Sequence, residues 1–386
     1  MMNIAIVIPC YNRTASLQRL LDSLQEAYYG EDKVDLIFSI DFSGTHDVER
    51  LARAFEWRVG EKKLVLHSTN IGLKRNILSC GDFTENYDAV IVLEDDLYVA
   101  KDFYNYAKQA ALYYESNDRI GGVSLFGYAF AEIGYYTFYP FKDEKDNYFM
   151  QWPSSWGQLW TRNQWKGFRK WLALDKDITM INIPTSVKEW TFSWKKFYVA
   201  YLVDTDKYFV YPYVSFTNEF GTAGIHYMGR SNTNTVNLFM GKDVAYNFRD
   251  FSPQSMFNYD VFFELHDCQL SIGGVSYKVC FDTYANKEAN NLTAEYVFTS
   301  RVQPKAIKTF GHSHIPFEYN LLKNVDGDFF YLVRKEYFVE TGFELEKKVT
   351  MRMQLSGREM LKLVSKKVEN KFIKMILGKK LLRNRG

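Results

Sequence analysis

No two of the four cysteines, Cys10, Cys80, Cys268 and Cys280, stand close enough to form a CxxC pair. In a chain of 386 residues that spacing excludes a disulfide scaffold and a zinc module, both of which depend on clustered thiols. No uncharged apolar stretch approaches the roughly 20 residues that a membrane-spanning helix needs. The opening MMNIAIVIPCYN lacks the basic region that precedes the apolar run of a signal peptide, so it reads as a first strand. An excess of one charge is lacking too. Lys and Arg number 48 against 46 Asp and Glu, a net charge of +2, which implies no nucleic-acid partner without clustering. The excess basic residues gather in the tail, and no base-reading module precedes them. Neither an internal repeat nor a low-complexity linker interrupts the chain. The expectation is a cytoplasmic protein, at most peripheral at the inner face of the cell membrane.

Aromatic residues are abundant. The chain holds 31 Phe, 28 Tyr and 8 Trp, enough both for large packed cores and for exposed rings on which bases or sugars stack. Its length exceeds what one hydrophobic core usually serves, so two domains and a tail are expected.

Taken in order, Asn3 to Pro9 reads as a buried strand, and Asn12 or Thr14 as the cap of a helix with Leu17, Leu20, Leu21 and Leu24 on one face. Leu36 to Asp41 is a second strand ending in an acid, Val48 to Phe55 a helical face, and Lys63 to His67 a third strand. Asn70 to Cys80 is a loop turning into a helix. Ala89 to Leu93 is a fourth strand, followed by a helix through Phe103, Tyr106, Ala107 and Ala110 and a fifth strand at Gly121 to Phe126. The alternation predicts an α/β fold, a mainly parallel sheet with helices on both faces.

Tyr135 to Asp177 is dense in aromatics, and the four-residue spacings of Trp156 to Trp160 and Gln164 to Phe168 predict helix there. The segment EWTFSWKKFYVAYLVD, within Ile183 to Asp204, reads as another helix, Lys207 to Asn218 as a strand, and Gly221 to Gly229 as a mobile loop. From about Asn234 to Thr350, short Tyr/Phe/Val runs (VFFELHD, VSYKVCFDTY, YVFTSRV and DFFYLVRKEYFVET) predict a mainly β segment. Leu361 to Gly386 carries nine Lys or Arg and one Glu around an apolar stripe, equally an ordinary terminal helix or one lying on an anionic membrane.

The chemistry concentrates where the fourth strand ends. Five apolar residues run into Glu94, Asp95 and Asp96, which desolvation excludes from the strand itself and assigns to its carboxyl end, where parallel sheets open to ligands. Acids there can hold Mg²⁺ or Mn²⁺, hard cations that share their shell with phosphates; the alternative is a solvated acidic turn. Three further segments converge on the same edge. Pro9 to Arg13 (PCYNR) supplies a turn with a stackable ring, Tyr11; Asp41 can accept from a base or ribose; Lys74 and Arg75 can reach a diphosphate.

With these residues in view, positions 3 to about 126 resemble the nucleotide-binding half of a GT-A glycosyltransferase, in particular the family 2-like group with its IPCYNR opening. IVLEDDLYVAKDFYNY further resembles the N-acetylglucosaminyltransferase that begins complex N-glycan branching, where EDD replaces the usual DxD. The resemblance implies a GT-A domain over 1–233, with a nucleotide-sugar half (1–126) and an acceptor half (127–233). A mainly β accessory domain over 234–350 and a basic amphipathic helix over 351–386 would follow. It implies that Asp96 coordinates Mn²⁺ or Mg²⁺, that Glu94 and Asp95 contact the donor sugar or ribose, that Tyr11 and Asp41 surround the base, and that Arg75 lies near the diphosphate. In the relative, an Asp in a Trp-rich segment is the catalytic base; here the matching position holds Ser193. Glu189 is then the candidate base, with Asp175 and Asp177 behind it, and His226 a candidate to complete the metal shell.

The implied activity is a metal-dependent, inverting transfer of a hexosyl or N-acetylhexosaminyl group from a nucleotide-diphosphate sugar, a UDP-sugar first, to a glycan or lipid-linked acceptor. Capsule or lipopolysaccharide synthesis is the setting it brings to mind. Two rivals stand beside it. A sugar nucleotidyltransferase would need a glycine-rich phosphate loop with a basic residue after the first strand, which PCYNRTAS does not supply. A catalytically silent glycan-binding protein on the same scaffold is kept open by Ser193.

Overall fold

The computed structural model of the protein describes residues 2–134, 136–220, 235–272 and 274–340, and beyond them 347, 350, 351 and 365. The expected domain boundary at 233–234, the loop around His226 and the basic helix expected over 351–386 fall almost wholly outside the described residues. The chain forms two compact units, one of Met1–Ala129 with Phe138–Cys268, the other of Phe130–Thr137 with Gln269–Gly386.

The first unit is built on a nine-stranded sheet. In chain order its elements are β1 (Ile4–Cys10), α1 (Thr14–Glu26), β2 (Asp35–Ile40), α2 (Asp47–Ala54), β3 (Lys62–Leu66), α3 (Leu73–Asp82), β4 (Ala89–Val92), β5 (Leu97–Val99), α4 (Phe103–Tyr114) and β6 (Ile120–Ser124). They continue with β7 (Asn147–Met150), β8 (Gln158–Thr161), α5 (Arg162–Leu172), α6 (Thr185–Lys188), α7 (Trp194–Asp204), β9 (Tyr208–Pro212), β10 (Thr217–Glu219) and β11 (Asn258–Tyr259). The sheet order is β11-β7-β9-β6-β8-β4-β1-β2-β3, and β5 pairs with β10 apart from it. Strands β3, β2, β1 and β4 run parallel. The sheet then alternates, with β8 antiparallel to β4 and β6, and β7 antiparallel to β9. This is the mainly parallel α/β sheet of a GT-A fold.

The physical reason for the parallel half is burial from both sides. All seven residues of β1 and all four of β4 are buried, which their unbroken apolar runs require. Leu17, Leu20, Leu21 and Leu24 of α1 are fully buried in the same core as Ile4, Ile6, Leu36 and Phe38. Neither Asn12 nor Thr14 caps α1: Arg13 holds the cap position and no side chain bonds there. Helix α3 is pinned to β2 by buried Asn76, whose amide donates to the Ser39 carbonyl (3.1 Å) and accepts from the Ser39 hydroxyl (2.6 Å). Gly81 lets the helix lie against Trp165, since a Cβ there would meet the indole at 2.2 Å.

The aromatic segment departs from its predicted form. Trp156 and Trp160 are not on a helix: Trp160 lies in β8, and helix begins only at Arg162, where Thr161 and Gln164 form a capping box. Strand pairing wins over the four-residue spacing because β8 fills the slot between β4 and β6. Trp152, Trp160 and Trp165 are fully buried core residues. The predicted strand over Lys207 to Asn218 is two, β9 and β10, separated by a turn, and VFFELHD forms turns with one isolated bridge at Leu265.

The second unit carries a five-stranded sheet, β12 (Cys268–Ile272), β13 (Val275–Asp282), β14 (Tyr296–Thr299), β15 (Lys308–Phe310) and β16 (Phe330–Arg334), ordered β12-β13-β14-β16-β15, with a short helix α8 (Tyr319–Leu322). Three of these strands coincide with predicted runs, whereas β12 and β15 carry too little pattern to be read from sequence.

Candidate active site

The carboxyl ends of β1, β2 and β4 lie side by side in the sheet, and the residues just past them meet. After β4 the chain turns through Glu94, Asp95 and Asp96 into β5, with the Leu97 amide donating to the Glu94 carbonyl (3.2 Å). After β1, Arg13 reaches across to the acids. Its guanidinium donates through one terminal nitrogen to Asp96 (2.6 Å) and through the other to Asp95. Asp95 is almost fully buried, and Asp96 is more open to solvent. Such a fork satisfies two carboxylates with one planar cation.

The electrostatics follow from crowding three acids at a protein interior. Burial pushes the Asp95 carboxyl up to about 6; Asp96 adds to the rise, while Arg13 and a backbone hydrogen bond from Tyr11 oppose it. Glu94 is pushed up to about 8, again first by burial and then by repulsion from Asp96 and Asp95, with Arg13 and Lys195 pulling the other way. Both acids therefore hold their protons more tightly than free carboxylates do, and a nearby cation favours their ionised form.

Asp41, past β2, is buried and committed. One oxygen accepts from the amides of Phe42 (2.9 Å) and Ile71 (2.8 Å), the other from the amide of Gly72 (2.9 Å). It thus holds the Asn70–Gly72 turn that starts α3. Gly72 has φ of +80°, a conformation that disfavours any side chain. Asn70 donates to the Tyr11 hydroxyl (3.3 Å), joining this turn to the loop after β1.

On α3, Lys74 and Arg75 part ways. The Lys74 ammonium sits 3.7 Å above the ring of Phe197, and burial together with Lys196 lowers its pKa. Arg75 is exposed and forms no ion pair with the described residues. Pro9 is buried within β1 beside Ser39.

The three acids expected near the acceptor lie elsewhere in character. Asp175 is exposed in the turn after α5. Asp177 caps a short turn, accepting from the Thr179 amide (2.9 Å) and hydroxyl (2.7 Å). Glu189 is exposed at the end of α6. Ser193 stands at the start of α7 without a capping hydrogen bond. Sequence reasoning missed Lys195, a buried lysine on α7 whose ammonium lies 4.9 Å from the Trp152 ring and 5.8 Å from that of Trp156, close enough to influence Glu94. No sequence pattern announces it, because a Lys-Lys pair among aromatics reads as an ordinary helix surface.

Among the described residues no three His, Cys, Asp or Glu side chains converge on one point as a ready-made metal cage. The hard oxygens of the EDD turn nevertheless suit a divalent ion that takes its other ligands from phosphates and water.

Residues 5–163, which contain Arg13, Asp41, α3 and the EDD turn, match the family model for glycosyl transferase family 2. No curated protein matches the chain. Among solved structures, a mannosyltransferase from Pyrobaculum calidifontis, in complex with GDP-Man and Mn²⁺, is 18% identical with a TM-score of 0.27, over 33% of this chain and 36% of that one. TarS of S. aureus, residues 1–349 with UDP-GlcNAc, is 15% identical with a TM-score of 0.33, over 54% and 58%. GalNAc-T7 with UDP, GalNAc and Mn²⁺ is 14% identical with a TM-score of 0.40, over 55% and 42%. Each alignment spans less than two thirds of the other chain. Among the described residues of this chain, no helix is long and apolar enough to cross a membrane.

Proposed function

We propose that the protein is a metal-dependent, inverting glycosyltransferase that takes a sugar from a nucleotide-diphosphate donor, a UDP-sugar first, and delivers it to a glycan or lipid-linked acceptor. The observation that carries the reading is the gathering of Glu94, Asp95 and Asp96 with the turn after β1 and the Asp41-held turn before α3, inside the stretch that matches the family 2 model. In this reading Asp96 holds Mn²⁺ or Mg²⁺, which when bound supplies positive charge for the departing diphosphate. Tyr11 and the turn held by Asp41 receive the base and ribose, and Glu94 and Asp95 face the donor sugar. Lys74 and Arg75 attract the diphosphate, and the exposed guanidinium of Arg75 is free to do so.

Inverting transfer also needs a base for the acceptor hydroxyl. Glu189 is the candidate we retain, because its carboxylate makes no hydrogen bond or ion pair with the described residues, whereas that of Asp177 is spent on Thr179. The likeness of the EDD stretch to the N-glycan branching enzyme belongs to this proposal, as does a surface-polysaccharide setting.

The experiment is isothermal titration of UDP and of several UDP-sugars, with and without Mn²⁺, followed by an assay of UDP release. Metal-dependent UDP binding that disappears in Asp96→Asn, with the melting temperature unchanged, is the expected result. Binding of no nucleotide under any metal condition, alongside binding of oligosaccharide, would replace this reading with that of a silent glycan-binding protein.

A further inference from the structure

Arg13 does something that a residue held ready for a donor would not do. Both of its terminal nitrogens are engaged by Asp95 and Asp96, at 2.6 Å in the case of Asp96. Its backbone is fixed at the start of α1, where its carbonyl accepts from the Leu17 amide (3.0 Å). Its side chain, about a third exposed, has room to leave. One of the two carboxylates it grips, that of Asp96, is the one assigned to the divalent ion.

We propose that Arg13 is the resident counter-cation of the EDD turn and that it and the divalent ion compete for Asp96. This inference rests on the metal-site reading given above and adds to it how the site is kept when no ion is bound. Three consecutive acids at the edge of a core repel one another, and the guanidinium fork screens two of them. A divalent ion on Asp96 needs the lone pair that Arg13 occupies there, so its binding must break that charge-assisted hydrogen bond. Metal affinity is therefore held below what the carboxylates alone would give. The alternative for the same contacts is that Arg13 aligns the acids for the ion, and this predicts the opposite sign.

The test is direct Mn²⁺ titration, followed by electron paramagnetic resonance of free Mn²⁺, on the full chain with and without UDP. Arg13→Gln removes the charge, and Arg13→Lys keeps a charge that cannot span both acids. Competition predicts that R13Q binds Mn²⁺ about tenfold more tightly than the unaltered protein, with R13K between them. Affinity that is unchanged or weaker in a folded R13Q overturns the exchange while leaving the metal reading intact. Should R13Q fail to fold, as judged by circular dichroism, R13K decides in the same direction. If neither the unaltered protein nor the variants bind Mn²⁺, even with UDP, the metal reading fails and the exchange falls with it.

Discussion

The role of Asp41 can be separated from the chemistry of the donor by removing its carboxylate. In Asp41→Ala three backbone amides, those of Phe42, Ile71 and Gly72, lose their acceptor at once. A hydrogen bond to a charged group is worth about 1.5 to 3 kcal/mol net, and the side chain of Asp41 is only 4% exposed, so little water stood in for it. Water can reach the half-buried loop once the carboxylate is gone and recovers part of the loss. The expected cost is about 3 to 5 kcal/mol, a large share of the roughly 5 to 15 kcal/mol that stabilises a typical domain. Asp41→Asn keeps one oxygen for two of the amides but turns an NH₂ group toward another N–H, and should cost about half as much. All eight tryptophans lie in the first unit, so urea unfolding followed by indole fluorescence reads this unit alone. A loss under about 1 kcal/mol in the alanine variant would show that the turn before α3 stands without Asp41, and the argument would be wrong.

Other outcomes can be checked alongside. Gly81→Ala places a methyl against the Trp165 indole, and overpacking of this kind should cost about 1 to 3 kcal/mol, read as a fall in melting temperature. Glu318 in the second unit is fully buried, and burial pushes its carboxyl up to about 7, with Thr283 donating to it (3.3 Å). Because the folded form keeps its proton where the unfolded form has lost it, stability should fall as pH rises from about 4.5 to 7, by at most about 3 kcal/mol. Glu318→Gln should flatten that slope, and an unchanged pH profile by chemical denaturation would exclude it. If Glu189 is the base, Glu189→Gln should lower kcat by about 10² to 10⁴ with little change in KM, while a shift in KM alone would assign it to acceptor binding.

Much of the parallel half was legible because two-sided burial leaves a plain mark. Ile4 to Ile8 and Ala89 to Leu93 are apolar without a break, and acids directly after such a run have nowhere to go but the strand end. Short or atypical elements were not legible. Strand β5 has three residues and shows no period; its partner β10 comes more than a hundred residues later, with Val99 opposite Thr217. The spacing of Trp156 and Trp160 fits a helix as well as a strand interrupted by a loop, and only the slot between β4 and β6 chose between them.

The same division runs through the site. Local composition by itself determined that carboxylates, an aromatic turn and a basic helix start would gather at one edge of a sheet, because period and desolvation act over a few neighbouring residues. Which side chains then take hold of one another was decided by tertiary structure. Arg13 meets Asp95 across 82 residues of chain, Asp41 spends its charge on the amides of Ile71 and Gly72, and Lys195 comes from α7 to influence Glu94. Hydrogen bonding and Coulomb attraction act through space, over distances that the chain closes only once it is folded.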